Sequence, residues 1–252
     1  MHIAFIRFNY KINYIMKTYS KQDIIDRCKL QSSGDNFKSF YNNGMVNYRG
    51  KTQDTKEFYT EVIAKYLLDN YDDLFRKGRI PMVPRKSSYK QNTHDGNQTY
   101  TNRKEENLAK YLFNQLPGKE KHLEYIGQII DYQVPLKNSQ KDEKVGKIDL
   151  LSVNSDDIFI LELKCEGTDE TMLRCVLEAY TYLQQLDKEK LVKDFGLNTS
   201  EPKFHATPLV FKNSYPYQEY MNKEDHPYLI TLMDKLGIKP YFLVPTYDCC
   251  AE

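Results

Sequence analysis

Residues 146–164 read Gly146-Lys147-Ile148-Asp149-Leu150-Leu151-Ser152-Val153-Asn154-Ser155-Asp156-Asp157-Ile158-Phe159-Ile160-Leu161-Glu162-Leu163-Lys164. Two apolar runs flank the polar break Asn154, Ser155 and Asp156. Runs of this length and β-branched content predict strands over 145–153 and 157–165, joined as a hairpin. Successive side chains on a strand point to opposite faces. On the second strand Phe159, Leu161, Leu163 and Cys165 therefore point one way, and Ile158, Ile160, Glu162 and Lys164 the other. On the first, Asp149 shares its face with Leu151 and Val153. The hairpin makes the strands neighbours, so Asp149, Glu162 and Lys164 are expected to converge at one end of the sheet.

Charged side chains inside an apolar strand are costly unless they have partners or a task. A buried structural ion pair, or a strand end that reaches solvent, would satisfy the first condition. A chemical task satisfies the second. Two carboxylates are hard oxygen ligands suited to Mg²⁺, with Mn²⁺ as a substitute. A lysine beside them can orient an attacking water and stabilise charge developing on a phosphorane.

Outward from this hairpin, a helix is predicted over 105–116, with Leu108, Ala109, Leu112, Phe113 and Leu116 on one face and Pro117-Gly118 as its stop. A strand over 125–136 precedes the hairpin. A helix over 168–186 follows it, capped by Thr168 or Asp169, with Leu173, Val176, Leu177, Tyr180 and Leu183 as its core stripe. A strand over 207–211, a helix over 227–236 and a strand over 241–244 complete the order αβββαβαβ. Antiparallel strands followed by a crossover predict a mixed central sheet flanked by helices on both faces, an α/β fold.

The chain divides near residue 100. Residues 1–99 are polar and helical in pieces, with Phe58, Val62, Tyr66, Leu67 and Tyr71 at helical spacing over 54–74 and Gly78 as a stop. Within 76–90, Arg76, Lys77, Arg79, Arg85, Lys86 and Lys90 occur with no acidic residue among them, and Pro81 and Pro84 exclude a helix. This basic loop, with Tyr89 and Pro84 interleaved, is expected to contact nucleic-acid phosphates, or else to be a solvated loop. Residues 87–103, rich in Ser, Asn, Thr and Gly, read as a mobile loop.

The constellation Asp149 with Glu162-Leu163-Lys164 resembles the PD-(D/E)XK nuclease superfamily, over roughly residues 100–245 in order of elements. The resemblance implies a restriction-endonuclease-like domain at 100–252, with an αβββαβ core. It implies that Asp149 and Glu162 hold a divalent metal and that Lys164 assists the nucleophilic water. The proline that often precedes the Asp is Ile148 here. Many members add a glutamate from the first core helix. Glu105 suits that role better than Glu106, since it lies in line with Ala109, Leu112 and Leu116. Members also place Arg, Gln or Tyr from the helix after the motif near the phosphate. Arg174, Glu178, Thr181 and Gln185 form such a stripe here, a solvated face being the plain alternative. Lys212, at the end of the strand over 207–211, is a further candidate for DNA backbone contact or a mere strand terminus.

The implied activity is Mg²⁺-dependent hydrolysis of DNA phosphodiesters leaving a 5′-phosphate. RNA is the alternative substrate, and a catalytically silent nucleic-acid-binding or scaffold protein of the same fold is the rival reading. Many nucleases cut as dimers, so a homodimer through the Tyr-rich N-terminal region is also expected.

Composition bounds these readings. The 252 residues carry 36 Lys+Arg against 35 Asp+Glu, a net charge of +1, which excludes a uniformly basic nucleic-acid coat but not a local patch. No apolar run approaches the roughly 20 residues needed to span a bilayer. Five cysteines without a CxxC predict reduced thiols in a cytoplasmic protein. The N-terminal segment, interrupted by Arg7, Asn9, Lys11 and Asn13, is not a signal peptide, and Met16 is a candidate start. The terminal Cys249-Cys250-Ala251-Glu252 is a poor prenylation box. His94, His122, His205 and His226 have no zinc-site spacing. No phosphate-loop, dinucleotide-binding or G-x-S-x-G motif occurs. The Lys, Asn, Tyr and Ile content suggests an AT-rich bacterial genome.

Overall fold

Ser20 and Asp23 cap the first helix reciprocally: the Ser20 backbone N–H donates to Asp23 Oδ2 at 2.9 Å, and the Asp23 N–H donates to Ser20 Oγ at 3.1 Å. This cap opens a computed structural model of the chain that describes residues 18–76, 78–91, 94, 102–115, 122–138 and 145–244. The expectations for Lys77, Leu116, the Pro117-Gly118 stop, a start at Met16 and the C-terminal cysteines lie outside the described residues.

The elements are α1 (Lys21–Ser32), two 3₁₀ segments (Gly34–Asn42 and Gly44–Asn47), α2 (Tyr59–Asp69), a single wide turn of π-helix (Asp72–Arg76), and α3 (Lys104–Gln115). Then come β1 (His122–Leu123), β2 (Gly127–Pro135), β3 (Lys147–Asn154), β4 (Asp157–Leu163), α4 (Met172–Gln185), α5 (Lys188–Phe195), β5 (Lys203–Phe211), α6 (Tyr215–Met221), α7 (Pro227–Leu236) and β6 (Tyr241–Leu243). The six strands form one sheet in sequence order. β1 to β4 run antiparallel, while β5 and β6 are each parallel to the strand before. Antiparallel strands need only tight turns, and the parallel steps need the helical crossovers α4–α5 and α6–α7. Among the described residues no helix is long and apolar enough to cross a membrane.

Helices cover both faces, as the mixed pattern predicts. On one face Leu151, Ile158, Ile160, Ala206 and Val210 pack with Leu173, Val176 and Leu177 of α4 and Leu229, Leu232 and Met233 of α7. On the other, Ile129, Leu150, Phe159, Leu161, Leu163 and Leu209 pack with Ala109 and Leu112 of α3. The hairpin predicted between β3 and β4 is tighter than expected. Asn154 pairs with Asp157, so only Ser155 and Asp156 turn the chain, with Ser155 at φ +57°.

The N-terminal helices have no core of their own. Ile24, Cys28, Val62, Ile63 and Leu67 join the same apolar cluster as the α4 and α7 residues, so residues on both sides of position 100 share one interior. Two buried carboxylates tie them in. Glu61 accepts the Tyr228 and Leu229 N–H groups at the start of α7, at 2.9 and 2.8 Å. Glu219 accepts the Met172 N–H at 2.7 Å and the Thr60 hydroxyl at 3.2 Å. Both satisfy helix N-terminal donors that would otherwise lack partners.

Several boundaries differ from the sequence expectation. The helix after the motif starts at Met172, with Thr171 rather than Thr168 or Asp169 as its cap. The Thr171 N–H donates to Asn47 Oδ1 and its hydroxyl donates to the Val46 carbonyl, so tertiary partners select this cap. The predicted helix 54–74 begins only at Tyr59. The Thr52 N–H to Glu57 carbonyl bond and the Lys21 N–H to Asp54 bond hold the preceding residues in a turn. The short helices α5 and α6 and the helix α1 were not expected.

The part of the expected mobile loop 87–103 that is described up to Gln91, and the basic segment before it, are packed against the fold. Tyr89 is fully buried; its N–H donates to Asp194 Oδ2 at 2.8 Å, and its hydroxyl accepts the Asp187 N–H at 3.1 Å. Burying one large aromatic ring contributes about 2 kcal/mol, enough to pin a short strap.

Candidate functional site

The C-terminal ends of β3 and β4 are not at the same edge, because the strands are antiparallel. The site forms where β3 begins and β4 ends. Asp149 Oδ2 accepts the Leu163 N–H at 3.0 Å, and Oδ1 accepts from Gln133 Nε2 at 2.8 Å. One carboxylate thus bridges β2, β3 and the last residue of β4. Glu162 is 4% exposed and Lys164 3%. The Lys164 ammonium lies 2.6 Å from Glu162 Oε1, 3.0 Å from Glu170 Oε2, 3.3 Å from Glu178 Oε2 and 3.8 Å from Glu105 Oε1.

These groups line one open cavity of about 330 Å³, which includes Glu105, Gln133, Asp149, Glu162, Lys164, Glu170, Arg174, Glu178 and Tyr182. A second cavity of about 430 Å³ shares Glu105, Gln133 and Asp149 with it and continues past Lys104, Cys165 and Gly167. Five carboxylates and two buried or half-buried cations, Lys164 and Arg174, form the interior. Arg103, Lys137 and Lys147 add positive charge to the same cavity wall, and Arg103 and Lys147 are exposed.

The electrostatics follow from crowding and burial. Burial pushes the Asp149 carboxyl up to about 7, although Lys164 and the Leu163 N–H favour its ionised form. Burial, with Glu178 and Asp149 nearby, raises Glu162 well above the carboxylate range. Burial raises Glu105 as well. Burial works against the Lys164 charge, yet Glu162, Glu178 and Glu170 hold the ammonium protonated beyond its ordinary range. Glu178 also pays a desolvation penalty, but Lys164 and Arg174 keep it ionised.

The donor set fits a divalent cation. Glu162 Oε2 is buried with no N–H or hydroxyl donor on it, and its carboxyl lies beside that of Glu178, two acids crowded together without enough cations between them. Among the described residues no group of three or more His, Cys, Asp or Glu side chains is arranged to hold a metal ion. Mg²⁺ does not need such a group, since it keeps several waters and uses one or two carboxylates. Asp149 and Glu162 are the carboxylates on which that task would fall, and Glu105 lines the same cavity.

The expected residues fall into three groups. Asp149, Glu162, Lys164, Glu105 and Arg174 meet in the cavity. Glu105 lines both cavities and lies 3.8 Å from Lys164, whereas Glu106 lines only the second, pairs with Lys110 at 2.9 Å and is the less exposed of the two, so burial does not separate them as the helical stripe predicts. Arg174 is bound internally, 3.1 Å from Glu170, 3.6 Å from Glu178 and donating to the Tyr41 carbonyl at 2.8 Å, so its stripe is not a solvated face.

Gln185 and Lys212 form the second group, which the fold does not bring to the cavity. Gln185 is buried at the far end of α4, where its carbonyl accepts the Val83 N–H. Lys212 is exposed beyond β5, with its N–H on the Leu243 carbonyl.

The basic strap is the third group. Arg76 pairs with Asp72 at 3.1 Å. Arg79 donates to the Ser32 and Gly34 carbonyls at 2.8 and 2.6 Å. Arg85 donates to the Lys137 and Ser88 carbonyls and lies over the Tyr89 ring. Among the described basic residues of the strap, Arg76, Lys86 and Lys90 are exposed, and Arg76 is the one of the three held in the ion pair with Asp72.

Sequence reasoning missed Gln133, Glu170 and Tyr182, and saw Glu178 only in the Arg174 stripe and as a pair partner of Arg174, not as a partner of Lys164. The spacing of four that joins Glu170, Arg174, Glu178 and Tyr182 was the available signal. Tyr182 donates to Glu178 Oε1 at 2.9 Å, and a Cβ on Gly146 would sit 2.2 Å from its hydroxyl, so any larger residue there must displace the Tyr182 ring. Cys165 was expected to point into the packed face. It is instead half-exposed on the wall of the second cavity, and burial raises its thiol pKa, which leaves it a poor nucleophile.

His94 bonds Asp131 and His205 bonds Asp157, each at 2.6 Å, while His226 stacks on Phe58; none reaches the cavity. No protein-family model matches this chain, and neither a curated protein nor a solved structure matches it.

Proposed function

We propose that this chain is a divalent-metal-dependent nuclease that hydrolyses DNA phosphodiester bonds, built on a PD-(D/E)XK-type core. The convergence of Asp149, Glu162, Lys164 and Glu105 from three separate elements into one open cavity carries this reading. An acidic interior with basic residues on its wall suits a cation inside and a polyanion outside.

In this reading Asp149 and Glu162 hold Mg²⁺ or Mn²⁺ and Glu105 assists. When bound, the cation polarises a phosphoryl oxygen and lowers the pKa of water. Glu162 and Glu178 hold Lys164 charged, and its ammonium donates to the attacking water or to the developing phosphorane charge. Arg174, fixed by Glu170 and Glu178, adds positive charge on the α4 side. Arg103 and Lys147, with Lys86 and Lys90 from the strap, attract the flanking phosphates. Cleavage leaves a 5′-phosphate.

The test is cleavage of plasmid, single-stranded DNA and RNA with Mg²⁺ or Mn²⁺, comparing wild type with Asp149→Ala and Lys164→Ala. Metal-dependent cleavage of DNA lost in both variants supports the reading, and preference for RNA redirects it to an RNase. A silent binding module is the outcome if wild type cleaves neither nucleic acid and binds no metal, while still binding DNA.

A further inference from the structure

The pleat of β2 and β3 breaks at one level. Tyr132 pairs with Leu150, and both pack on the α3 side of the sheet. Val134 pairs with Ile148, and both pack on the opposite side. In regular strands residues two apart share a face. Gln133 and Asp149 lie between these two pairs, where both strands turn over together. The turn is made by Gln133, whose φ is +49°. A residue with a Cβ is disfavoured there, whereas Gly and Asn adopt it at least cost. A shift of register between Ile129 and Asp131 lies just upstream on the same strand.

A strained backbone persists where the surroundings or a function require it. Here the side chain supplies the reason. Gln133 lines both cavities of the site and donates through Nε2 to Asp149 Oδ1 at 2.8 Å. With Leu163 N–H on Oδ2, the Asp149 carboxylate is held from both sides. We infer that Gln133 is a positioning residue, which fixes the Asp149 carboxylate toward the cleft so that a divalent cation can be held there. The inference rests on the nuclease reading and adds to it a residue outside the Asp149, Glu162 and Lys164 set. Groups that orient a metal-binding carboxylate typically account for 10- to 100-fold in metal affinity.

The experiment compares the full-length wild type with Gln133→Gly and Gln133→Asn. Both variants accept the left-handed backbone, so the turn is retained. The glycine has no side chain, and the asparagine amide is one methylene too short. The thermal midpoint of the metal-free protein is measured first, then binding of Mn²⁺ alone by calorimetry. The inference expects Gln133→Gly to match or exceed the wild-type midpoint while both variants lose about 10- to 100-fold in Mn²⁺ affinity. The Mn²⁺ concentration for half-maximal cleavage should rise by the same factor, with the rate recovering at saturating Mn²⁺. Wild-type affinity in Gln133→Gly overturns the inference and leaves the nuclease reading standing. A glycine variant that loses its midpoint together with its metal assigns Gln133 to folding and also overturns it. A wild type that binds no Mn²⁺ and cleaves nothing overturns the nuclease reading, and this inference with it.

Discussion

The Nζ of Lys164, the residue that follows β4 and continues its pairing through an N–H on the Leu209 carbonyl, lies 2.6 Å from Oε1 of Glu162, and both side chains are buried. Residues i and i+2 share a strand face, so the pair forms without any loop being ordered. Glu170 and Glu178 then close around the ammonium from the loop and helix that follow. Removing one partner of a buried ion pair leaves the others uncompensated, typically at about 3–5 kcal/mol. Lys164→Ala is therefore expected to lower the stability of the metal-free protein by an amount of that order, as well as to abolish cleavage. Urea unfolding with and without Mg²⁺ checks this. Added Mg²⁺ should restore part of the loss, because a cation then offsets the crowded carboxylates. A variant as stable as wild type without metal would contradict the ion-pair account.

Gly146 and Tyr182 should behave as one unit. A methyl group at 146 meets the Tyr182 ring, and that ring is held by its bond to Glu178. Gly146→Ala is expected to cost about 1–3 kcal/mol, the usual range for overpacking. In a Tyr182→Leu background the same substitution should cost far less. A double-mutant cycle by chemical denaturation measures the coupling, and additive costs would refute the contact.

Stability should depend on pH through Glu219, outside the site. Burial, with Glu61 nearby, raises its pKa from 4.5 to about 7. Between these values the folded state keeps a proton that the unfolded chain has released. The stabilisation is fully present below the unfolded pKa and is lost as pH rises through the folded value. From pH 4.5 to about 7 the protein should therefore lose up to about 3 kcal/mol through this group. Glu219→Gln cannot titrate and should flatten that part of the profile, as read by thermal melts across the window. An unchanged slope in the variant would assign the pH dependence elsewhere.

The basic strap should split into two functional halves. Arg79 and Arg85 are committed to backbone carbonyls, so Arg79→Ala is expected to cost about 1–3 kcal/mol in stability. Lys86 and Lys90 are exposed, so their alanine variants should fold normally. Their DNA affinity should fall across all sequences, and the slope of log K against log salt should shrink by about 1 per lysine. Binding titrations at several salt concentrations separate the halves. A lysine variant with an unchanged salt slope would remove the strap from the interface.

Local pattern decided much of this protein. Apolar alternation places Ile158, Ile160, Glu162 and Lys164 on one face, because a strand's period of two is a property of the backbone alone; the turn proved one residue tighter than the sequence pattern predicts. The period of 3.6 puts Glu105 at the sheet-facing end of α3, where it lines the cavity with a partly exposed side chain. The α7 limits, Pro227–Leu236, follow from a leading proline and from Gly237, which takes φ +68°.

What escaped local pattern depends on partners distant in the chain. Glu170 and Glu178 join the site because the crossover lays α4 against β5 and the end of β4. Arg79 and Arg85 read as free basic residues until the N-terminal 3₁₀ segment and the β2–β3 connection supply carbonyls for them. Gln133 is the clearest case. Its letter carries no signal for a left-handed backbone, and only packing on both sides of the sheet requires the turn that brings it to Asp149. The sequence determined which charged residues line the sheet's end, since side-chain alternation is local. Tertiary structure alone decided which carboxylates surround Lys164 and what holds Asp149 in place, since those contacts exist only once separate elements share one interior.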